Sequence, residues 1–131
     1  MASAIKKRNL TYLGIVLALV LVAAFIFANP LRQTQSSIEQ YVEEVTPLGS
    51  SMNDVISAIN ENGWNIDFVN ENKGFYHQDI TPNREVGSKS IRAVMGEYRT
   101  ILVTTSVTVF WGFDEQGKLT DIWVWKVNES L

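Results

Sequence analysis

His77, in the stretch GFYHQD, is the only histidine of the chain, and there is no cysteine. A thiolate metal site and a disulfide framework are therefore excluded. A metal ion would need carboxylates beside His77, and no spacing matches a calcium loop, so neither metal nor cofactor is expected. A Ser-His-Asp arrangement lacks a nucleophile elbow, and His77 reads as an ordinary edge-strand residue. Asp114, Glu115 and Asp121 form the one local carboxylate group, and two carboxylates can act as acid and base. Their setting, DEQG between two apolar runs, reads instead as a turn with Asp114 at its start and Glu115 at its exposed corner. Gly49-Ser50 and Gly87-Ser88 have neither the spacing nor the lysine of a phosphate-binding loop. Asn128-Glu129-Ser130 matches a glycosylation sequon, which has meaning only in a eukaryotic secretory route. The expectation is a non-enzyme.

The elements that would position these residues follow from apolar spacing. In residues 32–46, Ile38, Tyr41, Val42 and Val45 lie at i, i+3, i+4 and i+7, one face of a helix, with Ser36 or Ser37 as cap. Residues 49–64 repeat the pattern with Met52, Val55, Ile56 and Ile59. Here Ser51 and Asp54 have capping-box spacing, and Gly63 suits the position after a helix end. Trp64, Ile66 and Phe68 alternate with polar residues as in a strand, and residues 75–80 read as its returning partner, ended by 81–83. Residues 86–98 read as another helix, capped by Ser88, striped with Ile91, Val94 and Met95, and closed by Gly96. Residues 100–113 and 118–127, rich in β-branched and aromatic residues, read as a hairpin around DEQG. With Gly117 left-handed, Phe113 should face Leu119, Trp111 Asp121, Val109 Trp123, and Val107 Trp125. Trp123 and Trp125 would then be core under the helices. Phe110, Ile122 and Val124 would lie on the open face, with Trp111 near the hairpin end.

Upstream, residues 10–28 are 19 uncharged residues after Lys6, Lys7 and Arg8. As a helix they would span roughly 28 Å, near the bilayer hydrocarbon thickness. The competing reading is a cleaved signal peptide. Its apolar core is shorter, and Ile26 is a poor match to the small residue expected two positions before a cut after Ala28. A retained transmembrane anchor is expected, with a cytoplasmic basic tail over 1–9 and the C-terminal part outside. The expected domains are the tail, the anchor over 10–28, a stalk and short helix over 29–47, and an extracytoplasmic domain over 48–131. The fold class is α+β: a transmembrane helix, then short helices packed on one face of an antiparallel sheet. Residues 30–131 hold 8 Lys/Arg against 14 Asp/Glu, a net of −6, which disfavours nucleic acid as a partner.

Residues 48–56, LGSSMNDVI, and 86–94, VGSKSIRAV, share an apolar residue, Gly-Ser and a following short helix at an offset of 38, a period that suggests a repeat. The second copy runs through Gly87, Ile91, Met95 and Gly96 to Phe110, Trp111, Gly112, Phe113, Asp114 and then Gly117, Lys118 and Leu119. This pattern resembles the SmpA/OmlA (BamE-like) lipoprotein domain, with its glycine-bounded helix and aromatic–Asp-x-x-Gly-Lys-Leu hairpin. Two units, 48–80 and 86–127, would be similar to the tandem arrangement of β-lactamase-inhibitor-protein-like folds. The lipobox cysteine of that family is missing. The resemblance implies a binding module without catalysis.

These readings lead to one expectation of function: a membrane-anchored, extracytoplasmic, non-catalytic module. It would hold the membrane through residues 10–28 and bind another envelope protein through Phe110, Trp111, Ile122 and Val124. The alternative is an envelope sensor that binds a peptide or cell-wall fragment between the two units.

Overall fold

A computed structural model describes residues 2–27, 29–80 and 84–130, without the side chains of 2–7, 22–27, 30 and 130. The chain divides into two units, residues 1–32 and 33–131. The first holds helix α1 (Ala2–Phe27) and a 3-10 turn (Pro30–Arg32). Among the described residues no helix is long and apolar enough to cross a membrane, which corrects the expected transmembrane anchor. The side chains of 22–27, the possible cut at Ala28 and the strand break at 81–83 lie outside the described residues.

The second unit is a small α+β domain. It contains α2 (Gln35–Val45), α3 (Met52–Glu61), β1 (Asn65–Asn70), β2 (Phe75–His77), β3 (Arg84–Val86), β4 (Lys89–Arg99), β5 (Val103–Phe113) and β6 (Leu119–Ser130). Both helices form where apolar spacing placed them. α2 begins one turn earlier than expected: its cap is Thr34, whose side chain accepts a hydrogen bond from the Ser37 amide. Ile38 and Val42 are buried, whereas Tyr41 is exposed. α3 is capped by Ser51, whose Oγ accepts from the Asp54 amide at 3.1 Å. It ends in a Schellman turn. Gly63 donates to Asn60 O and Trp64 to Ile59 O, with Gly63 at a φ of 71°, where glycine avoids the Cβ penalty.

Residues 86–98, expected as a helix, are mostly strand β4. The main sheet has the order β1-β4-β5-β6, all antiparallel. β4 is an inner strand of it, paired on both sides. The Ile91, Val94, Met95 stripe also fits a strand, because Ile91 and Ala93 are both fully buried on one face. Cross-strand pairing overrides the local helical spacing. Gly96 marks a bulge, not a helix stop, since the β4–β5 register shifts between Val94 and Gly96. Residues 86–127 thus contain no helix, and the segments around Gly49-Ser50 and Gly87-Ser88 differ in structure. The helix implied by the SmpA/OmlA resemblance is absent there, while its hairpin is present. β2 pairs with β3 in a separate two-stranded sheet, so it is not the returning partner of β1.

The DEQG turn forms as its residues demand. Asp114 Oδ1 accepts from the Gln116 and Lys118 amides, each at 2.9 Å, and Gly117 has a φ of 78°. Phe113 faces Leu119, but the register then shifts, so that Gly112 faces Asp121, Trp111 faces Ile122, Phe110 faces Trp123 and Thr108 faces Trp125. Thr120 is the extra residue. A slip of one residue sends every later side chain of a strand to the other face. Trp123 and Trp125 therefore join Phe110, and Val124 joins Trp111 under the helices. That helix-side face holds the main core, with Ile38, Val55, Ile59, Ile91, Val109, Trp111 and Val124 at most 1% exposed. Trp111 stacks on Trp64 at 6.3 Å, and its Nε1–H donates to Thr46 Oγ1 at 3.0 Å.

The outer edge of β6 is closed by α2. The Val124 amide donates to Glu39 Oε1 at 3.1 Å, and the Val124 carbonyl accepts from Gln35 Nε2. Two helix side chains thus occupy strand-pairing groups that would otherwise remain open on the edge.

Two predictions follow from the β6 geometry. Deleting Thr120 removes the offset and drives both tryptophans toward the helices. It should cost at least about 4 kcal/mol in urea unfolding, with collapse of the near-ultraviolet dichroism. Glu39→Ala and Gln35→Ala should each cost about 1 kcal/mol. The double variant should add self-association in sedimentation velocity, because the edge is then open.

Candidate functional site

On the sheet face away from the helices, Phe110, Trp123 and Phe75 form a second apolar cluster, with Val86 and Trp125 packed against it. Phe110 and Trp123 are inner-facing neighbours across β5 and β6 because of the Thr120 offset. Their rings stack at 4.8 Å, and Trp125 stacks on Trp123 at 5.5 Å. Phe75 arrives from the small β2–β3 sheet and lies 5.4 Å from Phe110. Such offset aromatic contacts add roughly 0.5–1.5 kcal/mol per pair beyond burial.

The small sheet can approach this closely because Gly112 lacks a side chain, and its own two strands lie close because Gly74 lacks one. A Cβ on Gly112 would sit 3.0 Å from the Phe75 ring. A Cβ on Gly74 would sit 2.1 Å from Val86 O, inside any allowed contact with backbone. The Gly74 amide donates to Glu85 Oε1 at 2.8 Å, and Ser90 Oγ donates to Lys73 O at 2.8 Å. These bonds tie the segment before β2 to β3 and β4.

A cleft of about 330 Å³ opens beside the cluster. Its floor is the sheet: Phe68, Arg92, Phe110, Trp123 and Trp125. Its wall is the segment from Lys73 to Gln78, with Phe75 and Tyr76 prominent. Phe68 reaches this floor because of a second bulge. The β1–β4 register shifts between Ile66 and Phe68, which corrects the simple alternation of Trp64, Ile66 and Phe68. The extra residue, Asp67, places its Oδ2 3.1 Å from Arg92 Nε. The Arg92 guanidinium lies 5.3 Å over the Phe110 ring, a cation–π arrangement.

His77 belongs to the same segment but does not line the cleft. Its ring stacks on Trp123 at 4.2 Å, and its Nδ1 accepts from the Asp79 amide at 3.2 Å. Asp79 Oδ2 in turn accepts from Trp123 Nε1 at 3.2 Å. His77 thus packs against Trp123, a floor residue of the cleft. Among the described residues no hydroxyl hydrogen-bonds to it and no group of three or more His, Cys, Asp or Glu could hold a metal ion. Asp114 serves its turn, and Asp121 Oδ2 accepts from Thr120 Oγ1 at 2.7 Å.

The structure separates the four residues expected to bind a partner. Trp111 and Val124 are fully buried on the helix side, and Ile122, half-buried, shares that face. Only Phe110 lines the cleft, where it is 7% exposed as floor. The tryptophans assigned to the core, Trp123 and Trp125, are the ones at the cleft. The reason is the single-residue offset at Thr120. Arg92, Tyr76 and Lys73 had no signal in the linear sequence, since they meet the aromatic pair only through the bulges and the small sheet. Compared with known proteins, the chain matches no family model, no curated protein and no solved structure.

Gly74→Ala should lower stability by about 2–3 kcal/mol. Its added Cβ must push β3 away, which should weaken the near-ultraviolet signal of the stacked tryptophans. An alanine variant with the wild-type unfolding curve would show that Gly74 does not lie against the β3 backbone as described.

Proposed function

We propose that the domain over residues 33–131 is a non-catalytic protein-binding module whose cleft takes one or two side chains of an extended partner segment. The observation that carries this reading is the convergence of Trp125, Tyr76 and Arg92 on one open cleft. Trp, Tyr and Arg are the residue types that dominate binding energy at interfaces. They supply large contact area at low entropic cost, and here Trp125 is held by stacking on Trp123 and Arg92 by stacking over Phe110 before any partner arrives. Preorganisation of this kind lowers the ordering cost of binding. A volume of about 330 Å³ is at the small end of ligand pockets and suits side chains, not a whole folded surface.

A second reading is supported by the same volume: a sensor domain for a small ligand, such as a short peptide or cell-wall fragment. Its site would be this cleft and not a groove between two repeated units.

Trp125 is half-buried at the edge of the stack, so its removal should spare the fold. With a photo-crosslinking residue at Tyr76, the intact chain should capture a specific partner protein from its native cells. Trp125→Ala should reduce that capture roughly 30-fold, the equivalent of about 2 kcal/mol, with little change in Tm. Undiminished capture by the variant would refute the cleft as the binding site. Loss of crosslinks together with a Tm raised by a small ligand would support the sensor reading.

A further inference from the structure

We infer that the segment entering this cleft is acidic as well as aromatic, with an Asp or Glu side chain next to the ring that stacks in it. This inference rests on the reading of the cleft as the binding site. Residues 30–131 are acidic by 14 Asp/Glu against 8 Lys/Arg, yet the cleft lining inverts that balance. It includes Lys73 and Arg92 and no carboxylate. Three acidic residues near it are already engaged. Asp67 pairs with Arg92 on its Nε side, Asp79 accepts from the Trp123 indole, and Glu85 accepts from the Gly74 amide.

The two cations keep donors available. Arg92 Nε lies within ion-pair distance of Asp67 but without hydrogen-bond geometry. Among the described residues, no hydrogen bond engages the two terminal nitrogens of Arg92 or the Lys73 ammonium. A guanidinium approached from its Nε side retains its terminal fork, the geometry that holds a carboxylate by two parallel bonds. Stacking over Phe110 keeps that fork beside the aromatic floor. A ring on the floor and a carboxylate on the fork would therefore be read together by adjacent groups. Lys73, exposed at the rim, adds charge attraction without fixed geometry.

The test is calorimetric titration of the full chain with blocked pentapeptides. Each has a central phenylalanine flanked by glutamate, by glutamine or by lysine. The glutamate peptide should bind about tenfold tighter than its glutamine counterpart, one charge-assisted contact of about 1.4 kcal/mol. The advantage should shrink as salt rises from about 50 to about 500 mM. Arg92→Gln should erase it and Arg92→Lys restore it only in part. Lys73→Gln, an exposed change that leaves the fold alone, should reduce it two- to threefold. Equal binding of the glutamate and glutamine peptides, preference for lysine, or no binding of any peptide at millimolar concentration would overturn the inference. Equal binding that still depends on Trp125 would leave the cleft as the site and remove only its charge preference. A glutamine peptide with a free C-terminus that matches the glutamate one would assign the anion to a chain end and overturn the side-chain assignment.

Discussion

One extra residue, Thr120, governs which side chains of β6 meet those of β5. Beyond it the pairing is offset by one, so Phe110 lies across from Trp123 and Trp111 from Ile122. Everything apolar on the two faces depends on that offset. Val124 turns under α2, where its backbone is held by Gln35 and Glu39. Trp123 and Trp125 turn away from the helices and become the floor on which Phe75 and His77 stack. Without the bulge the helix side would have to take two more indoles, while a closely packed core has no spare volume for them.

The domain consequently has two cores of different character. The helix-side core is largely aliphatic around the stacked Trp64 and Trp111, closed by capped helices and a hydrogen bond from Trp111 to Thr46. The opposite cluster is almost wholly aromatic and covered only by a two-stranded sheet, whose approach requires Gly112. A cover of two three-residue strands cannot hide the whole sheet face, and the uncovered remainder is the cleft. Antiparallel sheets tolerate such a half-open face because helices need only pack on one side. The incomplete cover thus leaves Trp125, Tyr76 and Arg92 accessible together.

Three bulges recur as the device that aims side chains. In β1, Asp67 is the extra residue; it brings Phe68 to the cleft floor and sets a carboxylate beside Arg92. In β4 the irregularity lies at Gly96, and in β6 at Thr120. Each changes the face of the residues that follow it. The charge pattern follows from the same geometry: Asp67, Asp79 and Glu85 are taken up by local partners, while two cations line the cleft.

The sequence by itself determined the elements whose signals are local. The cap at Ser51, the Gly63 helix end and the DEQG turn are each set by a few adjacent residues whose backbone chemistry has one favourable outcome. Apolar spacing likewise placed α2 and α3, and the absence of cysteine excluded a disulfide framework. Only the tertiary structure decided the rest. Residues 86–98 carry a pattern compatible with either helix or strand, and pairing on both sides of β4 selected the strand. Strict alternation put Trp123 and Trp125 in the helix-side core, but a bulge costs little locally and is invisible in a period-two pattern. Its presence is settled by which face can close-pack around Trp111. The cleft was illegible for the same reason: the Lys73–Tyr76 segment, Arg92 and Trp125 are far apart in the chain, and only long-range pairing brings them to one place.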